Sequence, residues 1–163
     1  MKSHIHYETA FESYLREKQV PYVAVDEAKR AIFRDAKLKS FDFIVYSSHE
    51  TNWLVDIKGR SWAPGGGRWE NWVTQLDLDG LDQWQGVFGA GFRALFVFAY
   101  QLALDAPAPA DVVYDASRSR YVFAGVPIDQ YRQFARVRSP KWGTVNMPTR
   151  DFARFVRPIA DLL

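Results

Sequence analysis

Apolar residues along this chain recur first with a helical period and then with a strand period. From about His4 to Lys18, Tyr7, Phe11, Tyr14 and Leu15 fall at i, i+4, i+7 and i+8, one face of an amphipathic helix that Ser3 is placed to cap. Val20-Pro21 ends that helix, and Tyr22 to Val25 reads as a short strand. Asp26 to Asp35 is mixed, with a helical turn over Glu27 to Phe33. Between Phe41 and Lys58 the period drops to two: Phe41, Phe43 and Val45 alternate with Asp42, Ile44 and Tyr46. After a polar turn, Trp53, Val55 and Ile57 alternate with Leu54, Asp56 and Lys58, so two short strands are predicted. Leu81, Trp84, Phe88 and Gly89 carry a second helix. Arg93 to Leu102 is a near-continuous apolar run, the pattern of a central strand buried on both faces. Val112 to Tyr114 and Tyr121 to Val126 read as a hairpin. Ile128 to Val137 reads as a helix with Tyr131 and Phe134 inward, then a turn over Ser139 to Gly143 and a strand over Thr144 to Met147. Thr149 caps a last predicted helix with Phe152, Phe155, Val156 and Ile159 on its apolar face, and Pro158 should kink it.

Both central strands carry an acid where the pattern calls for an apolar residue. Asp56 and Lys58 are two apart and share one sheet face, and Asp42 can point to that face from the neighbouring strand. Two carboxylates and an ammonium converging there are costly unless they are paired or metal-bound. The set suits a hard divalent cation and a hydrolytic reaction on phosphate. The competing reading is a structural triad, with both acids paired to Lys58 or to an arginine. Glu8 and Glu12 lie four apart on one flank of the first helix, Glu8 nearer the apolar stripe. An acid at that margin can reach into a site; alternatively both are solvated and pair with Arg16. Gln85 sits in the stripe of the second helix beside Trp84. A buried amide needs partners, and a facing acid cluster would supply them; at the stripe margin it needs none.

Composition narrows the field. A chain of 163 residues, 48% hydrophobic and 16% aromatic, is expected to form one domain with a substantial core, residues 1–163. The absence of cysteine removes disulfides, thiolate metal sites and cysteine nucleophiles, and fits a reducing, cytoplasmic setting. The start, MKSHIHYE, has no apolar core of a signal peptide, and the longest apolar run, Ala94 to Tyr100, is too short to span a bilayer, so no membrane partner is expected. Charge is divided unevenly. From Arg118 onward nine Lys and Arg stand against three Asp, whereas the first 117 residues carry twelve against sixteen acids. Basic surface beside an acidic pocket fits a polyanion gripped at its backbone, or simply a solvated face.

Two stretches could make such contacts. Lys29, Arg30, Arg34, Lys37 and Lys39 form a basic patch ahead of the central strands. The loop GRSWAPGGGRWENW interleaves Trp62, Trp69 and Trp72 with Arg60 and Arg68, which suits stacking on unpaired bases plus phosphate contact. The tryptophans could equally fold beneath the loop as a satellite cluster. Other chemistries fail on spacing. The glycine run lacks a P-loop's Lys-Ser/Thr ending, and Asp77-Leu78-Asp79-Gly80 lacks the third acid and the terminal Glu of a calcium loop. His4, His6 and His49 do not share a face as zinc ligands would. There is no G-x-S-x-G elbow, and Gly86, Gly89 and Gly91 lie in the wrong context for dinucleotide binding.

The order is a helix with Glu, a strand, a strand with Asp, a strand with Asp-x-Lys, a helix with Gln and a buried strand. It resembles the PD-(D/E)XK nuclease superfamily of restriction endonucleases and junction resolvases. The matching residues are Asp42, Asp56-Ile57-Lys58, Glu8 or Glu12, and Gln85, over roughly residues 1–102, with basic elements over 110–163. Phe41 stands where the proline of the motif would be. His6-Tyr7-Glu8-Thr9-Ala10-Phe11-Glu12 also looks like the signature of the bacterial HYExAFE proteins. The resemblance implies an α/β fold with a restriction-endonuclease-like mixed sheet flanked by helices. It implies a Mg²⁺- or Mn²⁺-dependent nuclease acting on DNA, in a form that often pairs as a homodimer. Asp42, Asp56 and the Ile57 carbonyl would then be ligands, with Glu8 holding a water or second ion. Lys58 would orient or activate water and offset negative charge, and Gln85 would position Lys58 or the phosphate. Arg60, Arg68, Trp69, Lys29 and Arg30 are the expected DNA contacts. A nuclease-like scaffold that binds nucleic acid or protein without cutting is the alternative.

Overall fold

A computed structural model describes residues 2–25, 39–61, 69–103, 113–116 and 118–163. The mixed segment from Asp26 to Asp35, with Lys29 and Arg30, and the loop residues Trp62 and Arg68 lie outside them. The chain opens with helix α1 (Lys2–Glu17), so Ser3 falls within its first turn rather than ahead of it. Strands β1 (Tyr22–Ala24) and β2 (Phe43–Val45) follow, then β3 (Asn52–Ser61) and β4 (Val73–Thr74). Next come α2 (Gln75–Phe88), β5 (Phe92–Leu102), β6 (Val113–Ala116), β7 (Ser119–Pro127) and α3 (Ile128–Phe134). The end is built from β8 (Arg136–Ser139), β9 (Thr144–Asn146), α4 (Thr149–Phe155), β10 (Arg157–Pro158) and a 3-10 turn over Ile159–Asp161.

Seven strands form one mixed sheet in the order β1-β2-β3-β5-β7-β10, with β6 also on β7. Among the described residues only β3 and β5 pair in parallel; their crossover runs through α2. Alternation along the strands sorts two cores. On one face Phe43, Val45, Val55, Ile57, Leu95, Val97 and Phe123 pack against Tyr7, Ala10, Phe11, Tyr14 and Leu15 of α1. On the other, Leu54, Phe96, Phe98 and Tyr100 pack against Leu78 and Leu81 of α2, Tyr131 of α3 and Phe152 of α4. The predicted apolar run is thus a central strand, fully buried from Ala94 to Tyr100. No helix among the described residues is long and apolar enough to cross a membrane.

The last third departs from expectation. α3 stops at Phe134, and Arg136–Ser139 is a strand of a separate three-stranded sheet, β4-β9-β8. Its alternating side chains are all exposed or half-exposed, so it carries no burial pattern. α4 has Pro148, not Thr149, at its N-cap position and ends at Phe155. Pro158 does not kink it: with Arg157 it pairs with Ala124 and Gly125 as an edge strand, where a missing N–H is tolerated.

Candidate functional site

β2 is short. Its three residues pair with Trp53, Leu54 and Val55 of β3, and the pairing then stops. Among the described residues no strand covers Asp56 to Ser61 on that side, and within them β3 runs on as an open edge. At the point of divergence Asp42 still gives its N–H to the Val55 carbonyl at 2.8 Å. Its side chain then takes over from the backbone: Asp42 Oδ2 accepts the Ile57 N–H at 2.7 Å. A pocket of about 260 Å³ opens here, lined by Glu8, Lys39, Asp42, Asp56, Ile57, Lys58 and Asp77 among others.

The geometry brings acids and lysines into direct contact. Lys58 Nζ lies 3.1 Å from Asp56 Oδ2 and donates to Asp77 Oδ2 at 2.9 Å. Lys39 Nζ donates to the other Asp77 oxygen at 2.6 Å. Asp77 is the third residue of α2 and closes its capping box with Thr74, whose hydroxyl accepts the Asp77 N–H at 3.0 Å. Burial works to raise the Asp77 carboxyl, but Lys58, Lys39 and the Thr74 side chain hold it down at about 2. Burial works to lower Lys58, yet Asp56 and Asp77 outweigh it and keep the ammonium protonated above its usual range. Lys58 is therefore a fixed cation in this pocket.

Asp42 and Asp56 behave in the opposite sense. Burial, and then the Glu8 carboxylate, push Asp42 up to about 6, against bonds from Asp56 and the Ile57 N–H. Burial drives Asp56 well above the carboxylate range despite Lys58, with Asp42 hydrogen-bonded beside it. Two adjoining carboxyls largely removed from water resist ionising together and hold a proton between them more tightly than free acids do. The fold keeps that proton where the unfolded chain has lost it, so metal-free stability should fall as pH rises from about 4 through about 6. Asp77 acts oppositely: its contribution is lost as pH falls from about 4 towards 2. Urea unfolding in a chelator across this range should therefore peak in mildly acid buffer. A stability that climbs steadily to neutral pH would contradict the shared proton.

Glu8 reaches the pocket from α1, past the end of β2. Glu12 does not line it: Glu12 Oε1 accepts from Arg16 at 2.9 Å and from Tyr22 at 2.8 Å. Gln85 is likewise elsewhere. Its Oε1 accepts the Ala94 N–H at 2.7 Å and its Nε2 donates to Asp129 at 3.1 Å, so it clamps α2 to β5 and α3. Asp77 stands beside Lys58 in its stead. Arg60 lines the pocket but is buried, donates to the Trp72 and Gly59 carbonyls and lies 4.0 Å over the Trp72 ring, which ties it to the scaffold rather than leaving it free for phosphate. Trp69 is partly exposed with its ring edge-on to Tyr100. His6 meets the Tyr121 hydroxyl at 2.9 Å. Gly59, next to Lys58, lies flat under the Tyr7 ring of α1; a Cβ there would overlap it.

Among the described residues no three His, Asp or Glu side chains converge tightly enough to make a finished metal cage. What the pocket offers is two adjoining carboxyls, Glu8 nearby and the Ile57 backbone facing the same open edge. Such a partial set of oxygen donors fits a small hard cation that keeps several waters, and the cation would take the place of the shared proton.

No protein-family model matches the chain, and no curated protein matches it. In backbone it is similar to Archaeoglobus fulgidus Hjc, a Holliday junction resolvase from an archaeal hyperthermophile, with a TM-score of 0.60 over 97% of this chain and 98% of that one, at 11% identity. With its mixed sheet covered by helices on both faces, the chain has the restriction-endonuclease-like fold.

Proposed function

We propose that this chain is a Mg²⁺- or Mn²⁺-dependent nuclease of the PD-(D/E)XK superfamily that hydrolyses DNA phosphodiester bonds. The observation that carries the reading is the meeting of Asp42, Asp56 and Lys58 in one pocket at the open edge of β3. Asp42, Asp56 and the Ile57 carbonyl would hold the cation, which supplies Lewis-acid polarisation of a phosphate oxygen when bound. Lys58, kept cationic by Asp77, offsets charge that develops on the phosphate and is not the proton acceptor. Glu8 can accept a hydrogen bond from water at the pocket mouth. Asp77, itself held by Lys39, fixes the Lys58 ammonium, the role expected of Gln85. The heptapeptide from His6 to Glu12 supports placing the chain with the HYExAFE proteins. The fold of the archaeal resolvase makes branched DNA the first substrate to try and a homodimer the form to look for. A reducing, cytoplasmic setting suits a chain without cysteine.

Calorimetric titration of Mn²⁺ into wild type and Asp42→Ala, with cleavage of a labelled four-way junction in parallel, tests this. Binding and cleavage should both disappear in the variant. A wild type that binds no metal and cuts nothing would leave Asp42, Asp56, Lys58 and Asp77 as an ion-paired structural cluster in a non-catalytic module.

A further inference from the structure

The β4-β9-β8 sheet has an exposed rim that the hydrolytic pocket does not use. Trp142, in the turn between β8 and β9, is 71% exposed, and Val137 is 69% exposed. The Arg138 guanidinium lies 5.2 Å from the Trp72 ring, and Lys141 Nζ lies 5.6 Å from the Trp142 ring. Trp72, Thr74, Arg138, Trp142 and Thr144 enclose a hollow of about 370 Å³. Thr144 lines it with its hydroxyl oxygen buried away from solvent. From Gln130 to Arg150 the sequence carries five Arg and Lys and no acid. Arg132 pairs with Asp82, but among the described residues neither Arg138 nor Lys141 is paired to an acid.

This hollow adjoins the pocket. Thr74 lines the hollow and caps Asp77, which lines the pocket. Arg60 lines the pocket and stacks on Trp72, which lines the hollow. The Gln75 N–H is bound to the Gly143 carbonyl at 2.8 Å, so the Trp142 turn is anchored to the start of α2.

We infer that this sheet is a second nucleic-acid contact: an unpaired base stacks on Trp142 beside the Trp72 hollow while Arg138 and Lys141 hold its flanking phosphates. An exposed indole beside cations that no described acid pairs matches a base beside its phosphates. For the scissile chemistry the inference rests on the nuclease reading, and it narrows the substrate to DNA with unpaired bases beside the cleaved bond, such as a flap, a gap or an open junction.

The test is binding by the full chain in a chelator, followed by anisotropy of a labelled oligothymidylate and of a blunt duplex of equal length. Trp142→Ala should weaken the oligothymidylate about tenfold and leave the duplex within about twofold, and Trp142→Phe should restore most of the loss. Arg138→Ala should weaken both and flatten the salt dependence. Unchanged oligothymidylate binding in Trp142→Ala overturns the inference, as does an equal loss on both DNAs or no binding by wild type. Wild-type binding to phosphatidylserine vesicles that depends on Trp142, without oligothymidylate binding, also overturns it in favour of a membrane contact. Since no site acid is altered and no cleavage is needed, a failed nuclease reading appears separately, as a junction left uncut in Mn²⁺.

Discussion

Replacing Asp56 with asparagine should make the metal-free protein more stable and leave it unable to hold Mn²⁺ or cut DNA. Asp56 is 8% exposed and beside Asp42, so at neutral pH the pair must either keep an unwanted proton or bury two negative charges. The asparagine amide can donate to Asp42 as the protonated acid does, without the charge. Lys58 retains Asp77 at 2.9 Å and is not orphaned. Relief of this strain should be on the order of 1–2 kcal/mol at neutral pH, the usual sign of a site arranged for chemistry rather than stability. Thermal unfolding in a chelator reads the gain. Added Mn²⁺ should raise the wild-type midpoint and leave that of Asp56→Asn unmoved. A variant less stable than wild type without metal would mean that Asp56 serves as a structural ion-pair partner of Lys58.

Gly59→Ala should cost about 3 kcal/mol, at the upper end for overpacking. The added methyl meets the Tyr7 ring, part of a buried face rather than the end of a flexible side chain. α1 has to lift from β3, and Glu8 leaves the pocket with it. Metal affinity should therefore drop together with stability. Urea unfolding of Gly59→Ala, Tyr7→Ala and the double variant measures the coupling. The double variant should be more stable than the sum of the single losses predicts, because the collision exists only when both groups are present. Strict additivity would mean that the two residues are not in contact.

The meeting of Asp42, Asp56 and Lys58 in one pocket was legible in the sequence because an acid in a two-residue apolar rhythm is costly unless it finds a partner. Helix α1 and the buried strand β5 were legible from long, regular apolar spacing. Asp77 was not: the apolar spacing starts the second helix only at Leu81, which leaves Asp77 in the Asp-Leu-Asp-Gly stretch ahead of it. The signal was nevertheless present in Thr74-x-x-Asp77 followed by Leu78 and Leu81, a capping box ahead of an apolar stripe. Gln85 was misplaced because spacing shows that a residue sits at a stripe margin but not which neighbour it meets. That neighbour is the Ala94 N–H at the start of the next strand. Arg60 looked like a free cation because its anchor, the Trp72 carbonyl, comes from a part of the chain brought near only by folding. Strand β8 gave no apolar rhythm at all, since its neighbours in the small sheet leave both faces wet.

The open edge of β3 has a further consequence, for solubility. A strand edge that no neighbouring strand pairs invites strand addition from another molecule, and proteins discourage it by lodging charge on such edges or by occupying their backbone groups with side chains, as Asp42 does at the Ile57 N–H and Arg60 at the Gly59 carbonyl. Asp42, Asp56 and Lys58 stand where such a guard would be placed, with Glu8 overhead. The groups assigned to phosphodiester chemistry in the proposed function would thus also keep this edge from acting as a template for aggregation. Stripping them for stability, as in Asp56→Asn, removes part of that protection along with the chemistry.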